Sequence, residues 1–218
     1  MNRRLEAAVF DVDGMLLNTK EFIFQAFEHS LDHHGHPIPK RTVISSLVGR
    51  SLNDSYKVLA PNGKHESLMD IHHKFQLERL HLIKPYEGLQ ELLSELQEAG
   101  IKLGVFSSRR GHLIPSLENA GVLKFFSAVV QGDEVVKHKP HPEGLLKALK
   151  KLSVKPSNAA MLGDAAVDIQ AGKAAKVALT IGITHGFGTR EELEATNPNY
   201  IVDSLSEIAS ILLNFTKS

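Results

Sequence analysis

Cysteine is absent from the 218 residues, which excludes structural disulfides, thiolate catalysis and cysteine-ligated zinc. Net charge is absent too, because 25 Lys and Arg balance 25 Asp and Glu. No broad basic surface therefore points to nucleic acid or to an anionic membrane. Long apolar runs are also missing. The basic start MNRRLEAAVFDVDG carries an apolar stretch too short for a signal segment and interrupted by Asp11 and Asp13, and nothing else reaches membrane-spanning length. These absences predict a soluble, cytoplasmic protein that binds neither nucleic acid nor membrane, with monomer and dimer left open.

What is present is enough apolar residue, 42% of the chain, for a packed interior. Short apolar runs bounded by turn residues recur as LEAAVF, IKLGVF, FFSAVV, NAAMLG, KVALTIGI and NYIVD. Helical patterns such as GLQELLSELQEAG (88–100), HPEGLLKALKKL and SEIASILLNF lie between most of them. That alternation predicts an α/β fold with a parallel sheet covered on both faces. It stops between about residues 16 and 83, where EFIFQAFEHSLDHHG, RTVISSLVG, SLNDSYKVLA and ESLMDIHHKFQLERLHL all read as helices. We read 1–15 and 84–218 as the α/β core and 16–83 as an inserted all-helical cap, with linkers near 15–19 and 83–86.

Ligands of an open parallel sheet gather beyond the carboxyl ends of its strands. After the first, second and fourth apolar runs come Asp11-Val12-Asp13-Gly14, Ser107-Ser108-Arg109 and Gly163-Asp164-Ala165-Ala166-Val167-Asp168, and beyond the third lies Lys137-His138-Lys139-Pro140. Two carboxylates as close as Asp11 and Asp13 need water or a cation to offset their repulsion. Asp11 and Asp164 have the oxygen chemistry that a magnesium ion prefers, and Ser107 and Lys139 have donors for phosphate oxygens. Gly14 permits a tight turn. The DxDG pattern also opens calcium loops, but here the glycine comes early and Met15-Leu16-Leu17 occupies places that such loops give to oxygen ligands.

In order, DVDGMLLNT (11–19), Ser107 in LGVFSS, Lys139 in KPHPEGLL and GDAAVD (163–168) resemble the four signatures of the haloacid dehalogenase superfamily of phosphohydrolases. The resembling branch carries a helical cap after the first motif and includes phosphoglycolate phosphatases and β-phosphoglucomutases. The resemblance spans nearly the whole chain and implies a Rossmann-like core, a Mg2+ cofactor and a small phosphorylated metabolite as partner. By position it implies that Asp11 is the nucleophile forming an aspartyl-phosphate and that Asp13 is the acid and base. It also implies a metal set of Asp11, Asp13, Asp164 and Asp168, with Ser107 and Lys139 stabilising the transferring phosphoryl. The segment SSLVGRSLNDS resembles the family's substrate-specificity loop, making Gly49, Arg50 and Ser51 candidates for substrate contact beside Ser107, Ser108, Arg109 and Lys139.

Met15, Asn18 and Ala165 depart from the commonest family pattern without removing a group assigned to chemistry. The function implied is a Mg-dependent phosphatase of a small phosphomonoester, phosphoglycolate-like or sugar-phosphate-like. The alternatives are a phosphosugar mutase, a pyrophosphatase and a non-catalytic binding module. A dehalogenase would not need Asp13 or GDAAVD. The histidines at 33, 34, 36, 72 and 73 read as surface residues of amphipathic helices, and Gly186-Phe187-Gly188 reads as a turn.

Overall fold

The computed structural model describes residues 4–215. Each of the six apolar runs forms a strand: β1 (Ala7–Phe10), β4 (Lys102–Phe106), β5 (Ala128–Val130), β6 (Ala159–Gly163), β7 (Leu179–Ile183) and β8 (Tyr200–Val202). They make one sheet in the order β5-β4-β1-β6-β7-β8 with every pair parallel. Side chains alternate across it, as the pleat requires. Ala8, Phe10, Leu103, Val105 and Leu162 enter one core layer, and Ala7, Val9, Phe106 and Met161 the other. The first layer is closed by α5 (Leu89–Glu98) and α10 (Leu205–Asn214), the second by α7 (Glu143–Leu152). With both faces covered, β1 is buried along its whole length, which is why it reads as an unbroken apolar run.

The chain leaves β1 toward β4 and β5 on one side, then crosses to β6, β7 and β8 on the other. The strand order therefore reverses at β1, and a crevice opens there at the carboxyl ends. Asp11 and Asp164 come directly after adjacent strands at that point, Phe10 being in register with Leu162.

Between β1 and β4 the chain is helical: α1 (Lys20–His33), α2 (Arg41–Ser45), α3 (Leu52–Leu59) and α4 (His65–Glu78). Residues 15–19 and 83–86, expected as plain linkers, hold a paired ribbon of β2 (Leu17–Asn18) and β3 (Lys84–Pro85), antiparallel. Two-residue strands are too short to show a period.

Three helices lie outside the sequence expectation: α6 (Leu113–Asn119), α8 (Ala166–Ala175) and α9 (Arg190–Ala195). In α8 the buried face carries one large apolar residue, Ile169, beside Ala171, Gly172 and Ala175, with Gly172 tight against Thr180 and Met161, so little apolar periodicity reaches the sequence. His72 corrects the surface reading of the histidines. It is 3% exposed on the inner face of α4, which also carries Leu68, Phe75 and Gln76. A histidine on that stripe is buried because its ring nitrogen finds a partner, Tyr56. No described helix is long and apolar enough to cross a membrane.

Candidate active site

Loops at the carboxyl ends of β1, β4 and β6 line one cavity, and the segment after β5 sets Lys139 against two of its carboxylates. Asp11 leaves β1 with its N–H still bonded to the Leu162 carbonyl at 2.9 Å, which fixes the backbone beneath its side chain. Lys139 reaches in from the segment after β5 with its side chain wholly buried. Its Nζ donates to Asp11 Oδ1 at 2.5 Å and lies 2.8 Å from Asp168 Oδ1. Asp168 sits in the first turn of α8, and its other oxygen accepts the Ala165 N–H at 3.1 Å, capping the helix where alanine has no acceptor.

Asp164 sits just beyond β6 and accepts the Phe187 N–H at 2.6 Å. The loop after β7 is shaped around this carboxylate. A side chain at Gly186 would run into it, and one at Gly14, whose φ is +85°, would meet both it and the Phe187 ring. The Gly186-Phe187-Gly188 stretch is a turn, as its sequence suggests, yet it also positions a carboxylate. The signal for that was its location directly beyond a strand's carboxyl end.

Asp13 is held by Arg109, whose Nε donates at 3.2 Å and whose Nη2 contacts the second oxygen. Arg109 also donates to Ser116 Oγ at 2.7 Å and lies over the Phe22 ring. Expected to contact substrate, its guanidinium is engaged with Asp13 and Ser116 here. Ser116 lies outside the expected set, and no motif in its surroundings marks it. Ser107 is buried and accepts the Arg109 N–H at 3.1 Å, leaving its own O–H to donate. Ser108 joins the core to the helical segment, donating to the Gly49 carbonyl at 2.7 Å. Gly49 and Arg50 both line the cavity, whereas Ser51 is turned to its own helix, capping α3 through the Asp54 N–H.

Oxygens of Asp11, Asp164 and Asp168 all lie within 4.8 Å of one another. Burial pushes Asp11 up to about 7, with Lys139 opposing and Asp168 and Asp13 adding to it. Burial, then Asp11 and Asp168, push Asp164 well above the carboxylate range. Burial works against the Lys139 charge as well, but Asp11 and Asp168 outweigh it and the ammonium is held charged. Were all three carboxylates ionised, one ammonium would leave two negative charges uncompensated in a desolvated site. That donor set, all oxygen and two charges in excess, fits a hard divalent cation.

Residues 8–181 match the family model for haloacid dehalogenase-like hydrolases. The chain is 33% identical over 211 residues to the pyrophosphatase PpaX of Bacillus mycoides (strain KBAB4), covering 96% of this chain and 97% of that protein. The crystal structure of a predicted phosphatase from Clostridium acetobutylicum superposes with a TM-score of 0.87 at 25% identity, over 97% of this chain and 99% of that one. β-Phosphoglucomutase from Clostridium difficile shares the fold, with a TM-score of 0.83 at 24% identity over 96% and 97% of the two chains.

Proposed function

The chain belongs to the haloacid dehalogenase-like hydrolases, and from that premise we propose that it is a magnesium-dependent phosphatase acting on a small phosphomonoester through an aspartyl-phosphate at Asp11. The observation that carries this reading is the buried group of Asp11, Lys139, Asp164 and Asp168 at the switch point of the sheet, with Asp13 two residues beyond the nucleophile.

An Asp11 carboxylate oxygen attacks phosphorus as the bond to the leaving oxygen breaks, and Asp13 gives that oxygen its proton. Asp13 then takes a proton from the water that hydrolyses the aspartyl-phosphate, regenerating both residues. Arg109, which contacts both Asp13 oxygens in this structure, pairs with the carboxylate that the first proton transfer leaves behind. Lys139 and the free Ser107 O–H bear on the phosphoryl oxygens, the preorganised charge on which such transfers depend. Asp11 and Asp164, with the Asp13 carbonyl, would hold Mg2+, which would supply neutralising charge to the phosphoryl group, and Asp168 steadies Lys139. Residues 16–83 act as the cap, meeting the core through Gly49 and Ser108 and excluding water from the first transfer.

Phosphate release from sugar phosphates, phosphoglycolate and pyrophosphate, with and without Mg2+, tests this reading. Release that requires Mg2+ is expected. Isomerised sugar phosphate without free phosphate would point to a mutase, and no reaction with any member would overturn the reading.

The carboxylates also predict a pH-dependent response to the metal. A group whose pKa is raised on folding stabilises the fold fully below its unfolded pKa and loses that contribution as pH rises through the folded value. For Asp11 that window runs from its ordinary 3.8 to about 7. Metal-free protein should therefore lose thermal stability between about pH 4 and pH 7. Added Mg2+ should raise the melting temperature more at pH 8 than at pH 5. Equal shifts at the two pH values would contradict the metal assignment.

A further inference from the structure

On the cap side of the cavity lies a buried polar chain that the chemistry above does not use. Ser30, Tyr56 and His72 come from α1, α3 and α4, and all three are buried. Tyr56 Oη is in hydrogen-bond contact with Ser30 Oγ and lies 2.9 Å from His72 Nδ1. The far end of the chain sets its direction. Ser30 has one hydroxyl proton, and the Phe27 carbonyl at 3.1 Å, which only accepts, takes it. Tyr56 then donates to Ser30 and accepts from His72, so Nδ1 carries the imidazole proton. The opposite direction would leave the Ser30–Phe27 bond unmade, one hydrogen bond fewer in a desolvated place. Burial raises the Tyr56 hydroxyl above its ordinary range. Burial, then His73, Arg109 and His112, push His72 well below its own, so both rings stay neutral.

With Nδ1 protonated, Nε2 is a bare acceptor. It makes no hydrogen bond among the described residues, is not sealed from solvent, and belongs to a ring that lines the cavity. One helical turn on, Gln76 lines the same cavity, and its buried side-chain amide is likewise unsealed. An acceptor beside an amide donor matches a hydroxyl, which gives one hydrogen bond and takes another. It does not match a phosphate or carboxylate oxygen, which has no proton to give.

We propose that His72 Nε2 and the Gln76 amide recognise a hydroxyl on the leaving group, so that the preferred substrates are phosphomonoesters of hydroxylated alcohols, sugar or polyol phosphates, rather than simple alkyl phosphates. The proposal deepens the phosphatase reading and rests on it.

The test compares kcat/KM for glycerol 3-phosphate with that for n-propyl phosphate, which lacks the hydroxyls, in wild type and in the His72→Leu, His72→Gln and Gln76→Leu variants. Wild type should prefer the hydroxylated ester by about tenfold to a hundredfold, the range expected when a buried polar group loses its partner. The ratio should fall toward one in His72→Leu and Gln76→Leu. It should recover in part in His72→Gln, whose side-chain oxygen returns an acceptor near the Nε2 position. Generalised damage to the fold would lower both rates and leave the ratio alone. An equal preference in wild type, or a ratio that His72→Leu does not move, would overturn the proposal while leaving the phosphatase reading standing.

The tautomer is read without turnover, by long-range 1H–15N correlation of the imidazole in the intact chain. A neutral Nδ1–H ring is expected, and an Nε2–H ring would overturn the proposal. Failure of every ester to release phosphate would instead strike the phosphatase reading, and the two failures stay distinct.

Discussion

Asp11→Asn should lose more than about 10³-fold in kcat, because an amide is a poor nucleophile and a removed nucleophile leaves only what positioning and electrostatics supply. The same variant should keep its fold. Burial pushes Asp11 up to about 7, so at pH 8 the ionised carboxylate works against the metal-free protein, and a neutral amide of the same shape relieves that repulsion. We therefore expect a metal-free melting temperature at pH 8 no lower than that of wild type. Together the two results separate loss of chemistry from loss of structure. Turnover within tenfold of wild type would remove Asp11 from the nucleophile role.

Lys139→Met should be the most destabilising single change in the site. The side chain is wholly buried and is the shared cationic partner of Asp11 and Asp168, at 2.5 Å and 2.8 Å. Methionine preserves much of the volume but leaves buried carboxylates without their cation, a loss of about 3–5 kcal/mol, or about 10 °C in melting temperature for a chain of this size. The loss should shrink at pH 5, where Asp11, pushed up to about 7, is neutral, and Mg2+ should recover part of it at pH 8. Activity should also fall by about 10² to 10³, the usual consequence of removing one preorganised donor to a transition-state oxygen. A melting temperature equal to that of wild type at pH 8 without metal would show that the three carboxylates do not depend on Lys139 for their charge balance.

The parts of this site that are legible in the sequence are those the sheet itself writes. A parallel sheet covered on both faces produces unbroken apolar runs, and each run draws attention to the residues at its carboxyl end, so Asp11, Ser107 and Asp164 stand out without any knowledge of their contacts, while Lys139 lies further along the segment after β5. The hidden parts depend on pairing across distance. Arg109 and Asp13 are separated by 96 positions, and nothing local shows that the guanidinium is engaged with the carboxylate. The Phe187 N–H that holds Asp164 is a backbone group, and backbone groups leave no mark on residue identity beyond the glycines that let the loop approach. His72 defeats a surface reading because a polar residue on a helix suggests solvent until its partner is known, and that partner, Tyr56, lies on a different helix. The helix α8 leaves little trace because alanine and glycine, which permit its close approach to the sheet, carry little hydrophobic signal.

The central claim is that phosphate passes through Asp11, and rapid quenching followed by borohydride reduction tests it most directly. The enzyme is mixed with Mg2+ and a turned-over ester, stopped within a fraction of a turnover, reduced, and mapped by mass spectrometry. An acyl phosphate at Asp11 would be converted to homoserine at position 11 and nowhere else, and the conversion would disappear without substrate. Full phosphate release with position 11 unmodified, or modification at another carboxylate, would contradict the account.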